Sequence, residues 1–98
     1  MSYEVLLAEE AREYVAALDE KSTRIVTDNL RKLADDPYPR PDSGAGDKEK
    51  LVIEGAELYR LHIGRTHTAF YDVLEADEEV RVIEIMDIDE AHKRYGFD

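Results

Sequence analysis

The chain has 98 residues, which is enough for one domain with one core and too short for two, so residues 1–98 are expected to form a single domain. It has no cysteine, which excludes disulfides, thiol redox chemistry and a zinc knuckle, and its net charge of −11 argues against an ordinary nucleic-acid-binding surface. No window approaches the ~18 consecutive apolar residues of a membrane span, and the first residues lack a basic, apolar leader, so we expect a cytoplasmic protein without a membrane partner.

The first third of the chain is predicted to contain one strand and two helices. Alternation at Tyr3, Val5 and Leu7 favours a short strand. Apolar residues then recur at steps of three and four, first over Ala8–Leu18 and again over Ile25–Ala34, with a break near residues 19–22. This spacing indicates two amphipathic helices that form a hairpin.

The middle of the chain is predicted to be a loop followed by strands. Three prolines and a Gly- and Asp-rich run indicate a mobile loop over about residues 36–50. From Leu51 the apolar period becomes two, and short turns separate four β-forming segments, at residues 51–53, 58–63, 68–74 and 80–86. Short joins of this kind are typical of an antiparallel meander.

The end of the chain is predicted to be a short helix. Asp87 can cap it, with Glu90 three residues later as in a capping box, and Gly96 can end it. The element order gives an α+β fold: an N-terminal strand, a helical hairpin packed on a mostly antiparallel sheet of four to five strands, and a short C-terminal helix. The hairpin would cover one sheet face and leave the other open.

The acidity has two interpretations. In molar salt the Debye length falls to roughly 3 Å, so distant carboxylates would hardly repel a phosphate. Arginine outnumbers lysine here, and an acidic surface of this kind is typical of salt-adapted cells, which is the interpretation we favour. The alternative is an acidic binding module or nucleic-acid mimic.

One stretch departs from the acidic background. Residues 58–71 contain no acid, although chance would place roughly three there, and they hold Arg60, His62, Arg65 and His67. Arg60 and His62 would project together from the open face of a strand, and Arg81 could join them if the register allows. The interpretation is a phosphate-binding patch; the alternative is a central strand pair with incidental arginines.

The segment Leu58–Gly64, reading Leu-Tyr-Arg-Leu-His-Ile-Gly after a helical hairpin and a loop with Lys48 and Lys50, resembles the Tyr-Arg-Leu-Arg-Ile-Gly core of the RelE/ParE toxin superfamily. The next two strands agree in type and spacing, and the element order agrees over nearly the whole chain. The resemblance implies the toxin of a type II toxin–antitoxin system with a RelE-like fold. RelE-type members cut messenger RNA in the ribosomal A site, and ParE-type members poison DNA gyrase.

The resemblance also implies site residues and partners. Taken together with the acid-free stretch, it gives as catalytic candidates Arg60, His62, Arg65, His67 and Tyr95, and as substrate-binding candidates Lys48, Lys50, Arg81, Lys93 and Arg94. A RelE-like toxin needs no cofactor or metal, and its partners are a cognate antitoxin, the ribosome and messenger RNA. A homodimer, or a heterotetramer with the antitoxin, is consistent with the resemblance.

The chain departs from the family pattern after its last strand. Many members carry a basic run there, whereas this chain reads Asp-Ile-Asp-Glu at 87–90, so a catalytic arginine is missing. Lys93, Arg94 and Tyr95 follow a turn or two later and would have to replace it; alternatively they only form a capped terminal helix. This departure favours a second hypothesis, a ParE-like or catalytically silent protein-binding module of the same fold.

A metal site is not expected. His62, His67 and His92 with Asp87 and Asp89 match no standard ligand spacing. A nucleic-acid mimic would spread carboxylates across the open face, and the acid-free stretch argues against it.

Overall fold

The computed structural model describes residues 3–39, 48–64 and 66–95, without the side chains of residues 53, 94 and 95. Most of the predicted loop, residues 40–47, and the predicted site residue Arg65 lie outside this range. The elements in chain order are β1 (Glu4–Leu7), α1 (Glu9–Ala16), α2 (Glu20–Asp35), β2 (Lys48–Ile53), β3 (Ala56–Ile63), β4 (His67–Leu74), β5 (Glu79–Asp87) and α3 (Ile88–Tyr95). The predicted order of elements and the α+β class are confirmed.

The strands form one five-stranded sheet in the order β1-β5-β4-β3-β2. The four strands from β2 to β5 are antiparallel neighbours, as predicted, and β1 joins the far side of β5 in parallel. Between β2 and β3 the turn residues Glu54 and Gly55 both have positive φ, which matches the twist of a two-residue hairpin and sets Ile53 opposite Ala56. β2 begins at Lys48, three residues earlier than the pattern indicated and inside the segment assigned to the loop.

The helical hairpin covers one face of the sheet, which we call the hairpin face. Asp19 caps α2, because its carboxylate accepts a hydrogen bond from the Ser22 amide at 2.7 Å. From α2, Val26, Leu30 and Leu33 are buried, and Ala11 is buried from α1. They pack on the alternate strand residues Leu61, Ile63, Ala69, Tyr71, Val80, Val82 and Ile85. This is the main core.

The opposite face, which we call the open face, is not fully open. Phe70 and Met86 lie there, and Ala91 of α3 packs against both, with Leu51 and Leu58 beside them. The prediction that this face is left uncovered is therefore wrong for β4 and β5, which α3 covers. The rest of the open face, over β2 and β3, carries the polar side chains of Glu49, Arg60 and His62.

In the described part of the chain, none of the helices combines the length and the apolar character needed to cross a membrane.

Candidate functional site

Three polar side chains meet on the open face, on the neighbouring strands β2 and β3. Glu49 stands directly opposite Arg60, and its Oε2 lies 2.9 Å from Arg60 Nη2. Its second oxygen, Oε1, lies 3.6 Å from His62 Nε2. One carboxylate thus bridges a guanidinium and an imidazole. We call Glu49, Arg60 and His62 the strand cluster.

The sheet register explains why the cluster forms. Arg60 and His62 are two residues apart on β3, so both side chains leave the same face, as predicted. Phe70 is the neighbour of Arg60 on the other side and is buried, so it screens the guanidinium from water. A buried positive charge requires a matching negative charge close by, and Glu49 supplies it.

Burial differs across the cluster, and this determines what each group can touch. The Arg60 side chain is 5% exposed, whereas Glu49 is 42% exposed and His62 is 30% exposed. A ligand therefore meets the carboxylate and the imidazole first, above a fixed guanidinium. A carboxylate and an imidazole together can accept and donate protons, and a guanidinium stabilises negative charge on phosphate.

Glu49 was not predicted from the sequence. It lies between the two lysines that the resemblance singled out, in a segment assigned to the loop. Because β2 starts at Lys48, alternation sends Glu49 to the open face and both lysines to the hairpin face. A correct strand start would have revealed it.

Lys48 and Lys50, predicted to bind substrate, lie on the face opposite the strand cluster. The Lys48 ammonium donates to the carbonyl of Asp36 at 2.8 Å and lies 3.6 Å from its carboxylate. Lys50 pairs with Glu57 at 3.2 Å. The structure does not bring these lysines to Arg60.

His67 also lies on the hairpin face, since it stands opposite Ile63 of the main core. Its Nδ1 is 2.7 Å from the Tyr14 hydroxyl of α1, and the two rings meet edge to face. Burial, and secondarily the charge of Asp87, raises the pKa of Tyr14 above its ordinary value. His67 is thus separated by the sheet from the group it was predicted to join.

Of the remaining predicted residues, Arg81 and Lys93 have side chains that the structure describes. Arg81 faces the same side as Phe70, because its partner Asp72 is two residues along β4, but its guanidinium pairs with Glu79 at 3.2 Å. Lys93 is exposed on α3. Arg94 and Tyr95 belong to α3, and their side chains lie outside the described part, as does Arg65.

Asp87, where the resemblance leads one to expect a basic run, has a structural role. Its Oδ1 accepts a hydrogen bond from the Glu90 amide at 2.7 Å, which is the capping bond that the sequence predicted. The acid therefore starts α3 and thereby places Ala91 on Phe70 and Met86.

Within residues 3–39, 48–64 and 66–95, no three acidic or histidine side chains are grouped so as to hold a metal ion.

The sequence and the fold are similar to those of known proteins. A family model described as "ParE toxin of type II toxin-antitoxin system, parDE" matches residues 5–95, nearly the whole chain. No match was found among curated proteins.

Solved structures share the fold at low sequence identity. The archaeal RelE–RelB complex of Pyrococcus horikoshii superposes with a TM-score of 0.70 at 23% identity, over 89% of this chain and 96% of that chain. The RelBE2 toxin–antitoxin complex of Mycobacterium tuberculosis gives 0.71 at 17%, over 89% and 99%. A YoeB/ParE toxin from Agrobacterium tumefaciens gives 0.67 at 18%, over 86% and 96%.

Proposed function

The chain belongs to the ParE toxin family of type II toxin–antitoxin systems, within the RelE/ParE superfamily, and from this premise we propose that it is a RelE-like, ribosome-associated endoribonuclease. The observation that carries the proposal is the strand cluster, in which the Glu49 carboxylate lies within 2.9 Å of Arg60 and 3.6 Å of His62. These three side chains supply a proton acceptor, a cation and a proton donor without a metal or cofactor.

The proposed reaction is a transesterification within the RNA. Glu49 takes the proton of the ribose 2′-hydroxyl, and the 2′-oxygen forms a bond to the adjacent phosphorus. The bond from phosphorus to the 5′-oxygen of the next nucleotide breaks, and His62 donates a proton to that oxygen. Arg60 stabilises the charge that develops on the phosphate. The products are a 2′,3′-cyclic phosphate and a 5′-hydroxyl.

An enzyme of this kind requires a protein antitoxin that holds it inactive. The solved complexes from Pyrococcus horikoshii and Mycobacterium tuberculosis, each a toxin with an antitoxin of the RelB type by name, support the same kind of partner here. Action on ribosomes places the protein in the cytoplasm.

The acidic surface fits this function in high salt. At a net charge of −11 the chain would repel RNA at low ionic strength, but with a screening length of roughly 3 Å in molar salt only the nearest charges act on a phosphate. We therefore propose a salt-adapted host, and activity is to be assayed in molar KCl.

A second candidate function is a ParE-like or catalytically silent toxin that acts by binding a protein. Two observations favour it: Arg60 is 5% exposed and already paired, and Asp87 caps α3 where a basic run would serve catalysis. This candidate predicts growth arrest without RNA cleavage.

The experiment is induction of the wild-type chain in a high-salt host, followed by growth measurement and mapping of messenger-RNA ends on ribosomes. His62→Gln is the test variant, and His92→Gln, an exposed histidine of α3, is the matched control. The nuclease proposal expects arrest with new A-site cuts for the wild type and for His92→Gln, and loss of both for His62→Gln. Arrest without cuts supports the protein-binding candidate, and cuts that persist in His62→Gln contradict the proposed role of this histidine.

A further inference from the structure

One side of β1 faces no other strand of the described sheet. Within the described sheet β1 is a terminal strand. The amide of Glu4 donates to the carbonyl of Glu78, just before β5, and the amide of Ala8 donates to the carbonyl of Val82 in β5, both at 2.9 Å. Because successive residues of a strand point opposite ways, the amides of Val5 and Leu7 are directed away from β5. They form the outer edge of the sheet.

Two apolar grooves flank this edge, one on each face of the sheet. The groove on the hairpin face has a volume of about 270 Å³, and its lining includes Val5, Leu7 and Leu30. The groove on the open face has a volume of about 340 Å³, with Leu6 and Ile83 in its lining. A cavity of ~150 Å³ holds a benzene-sized group, so each groove can take an aliphatic side chain.

Two apolar side chains beside the β1 edge are exposed to solvent and would be covered by a bound segment. Leu6 is 37% exposed and Ile83 is 45% exposed, and both line the groove on the open face. A strand added beside β1 would send alternate side chains into the two grooves. Because both grooves are apolar, residues of both alternating sets should be apolar, so the added strand should contain a run of about four consecutive apolar residues.

The charged residues near the two ends of β1 indicate which residues should flank the apolar run of the added strand. β1 is bounded by the exposed acids Glu4 at its start and Glu9 and Glu10 just after its end. The two arginines that line the grooves are each matched by an acid, Arg31 by Asp28 at 4.0 Å and Arg81 by Glu79 at 3.2 Å. The ends of an added strand therefore meet negative charge. A second copy of β1 would bring acid against acid and is disfavoured.

We propose that the β1 edge is a docking site for an extended segment of a partner protein, with about four consecutive apolar residues flanked by basic ones, which pairs with the backbone of Val5 and Leu7. The docking does not depend on RNA cleavage, so a failure of the nuclease proposal leaves it standing. Strand addition of this kind draws its affinity from backbone hydrogen bonds and its specificity from the grooves.

The test uses the full chain and the octapeptide Lys-Lys-Val-Leu-Val-Leu-Lys-Lys as the probe. Binding is followed by amide hydrogen exchange and NMR shifts of the backbone. The proposal expects exchange of the Val5 and Leu7 amides to slow at least tenfold on peptide addition. Leu6→Gln should weaken binding at least fivefold, whereas Val52→Gln, an exposed aliphatic on the opposite edge strand β2, should leave it unchanged.

Three results would overturn the proposal. The first is unchanged exchange at Val5 and Leu7 at saturating peptide. The second is equal weakening by the two glutamine variants, which would mean that the peptide binds without preference for β1. The third is concentration-dependent self-association that protects the same two amides without peptide, which would make a second copy the occupant.

Discussion

Glu49 and Arg60 stand directly opposite each other on β2 and β3, and the Glu49 carboxylate is 2.9 Å from a guanidinium that is 5% exposed. This pairing holds one oxygen of Glu49 against Arg60 and turns the other toward His62. A buried cation thereby orients a carboxylate that is itself 42% exposed to solvent. The proposed chemistry depends on that orientation.

The first prediction concerns the choice of His62, and not His67, as the proton donor in the proposed cleavage. His67→Gln should leave ribosome-dependent cleavage within about twofold of the wild type, because the sheet separates His67 from the strand cluster. It should lower stability by about 0.5–1.5 kcal/mol through loss of the bond to Tyr14. Cleavage assays and urea unfolding measure the two effects, and a large loss of cleavage in stably folded His67→Gln would contradict the site.

The second prediction concerns the start of α3. Asp87→Ala should lower the free energy of unfolding by about 1 kcal/mol, because the Glu90 amide loses its acceptor. Asp87→Asn should stay close to the wild type, since asparagine also caps helices well. Urea denaturation compares the three proteins, and equal stability of the alanine and asparagine variants would show that the cap contributes nothing.

The third prediction concerns pH. Glu75 accepts hydrogen bonds from the hydroxyls of Tyr38 and Tyr3, and these hold its pKa below the ordinary value of 4.5 in the folded chain. A carboxyl whose folded pKa lies below its unfolded pKa binds fewer protons when folded, so its stabilising contribution is present above pH 4.5 and is lost as the pH falls through the folded pKa.

Glu75→Gln should therefore show a shallower loss of stability below pH 4.5 than the wild type, measured as urea midpoints along a pH series. Asp77→Asn, an exposed carboxylate of the same turn, is the control and should keep the wild-type slope. Identical slopes for the wild type and Glu75→Gln would rule out the contribution of the two tyrosines.

Much of the fold could be predicted because it leaves local signals. Steps of three and four place α1 and α2, and period two places the strands from β3 to β5. The parallel pairing of β1 with β5 joins residues about 75 apart, Glu4 with Glu79, and such a contact leaves no local pattern. It was found only in the structure.

The site was harder to predict because a strand has a side-chain period of two. His67 stands opposite Ile63 and leaves the hairpin face, whereas Thr68, one residue later, stands opposite His62 and leaves the open face. The sequence pattern placed the start of β2 at residue 51 and not at Lys48, so Glu49 was not identified and Lys48 and Lys50 were assigned to a loop. Arg60 and His62 were placed correctly, because their positions within β3 do not depend on a turn.

The role of Glu49 as general base is tested by the cleavage rate of ribosome-bound messenger RNA in molar KCl for the wild type and Glu49→Gln. The control is Glu57→Gln, which alters an exposed acid on the hairpin face of β3. If Glu49 is the general base, Glu49→Gln should lower the rate by about 10²–10⁴-fold, while Glu57→Gln should cut at nearly the wild-type rate. A folded Glu49→Gln protein that cleaves as fast as the wild type would contradict this role, and so would a wild-type chain that folds, binds ribosomes and leaves the RNA intact.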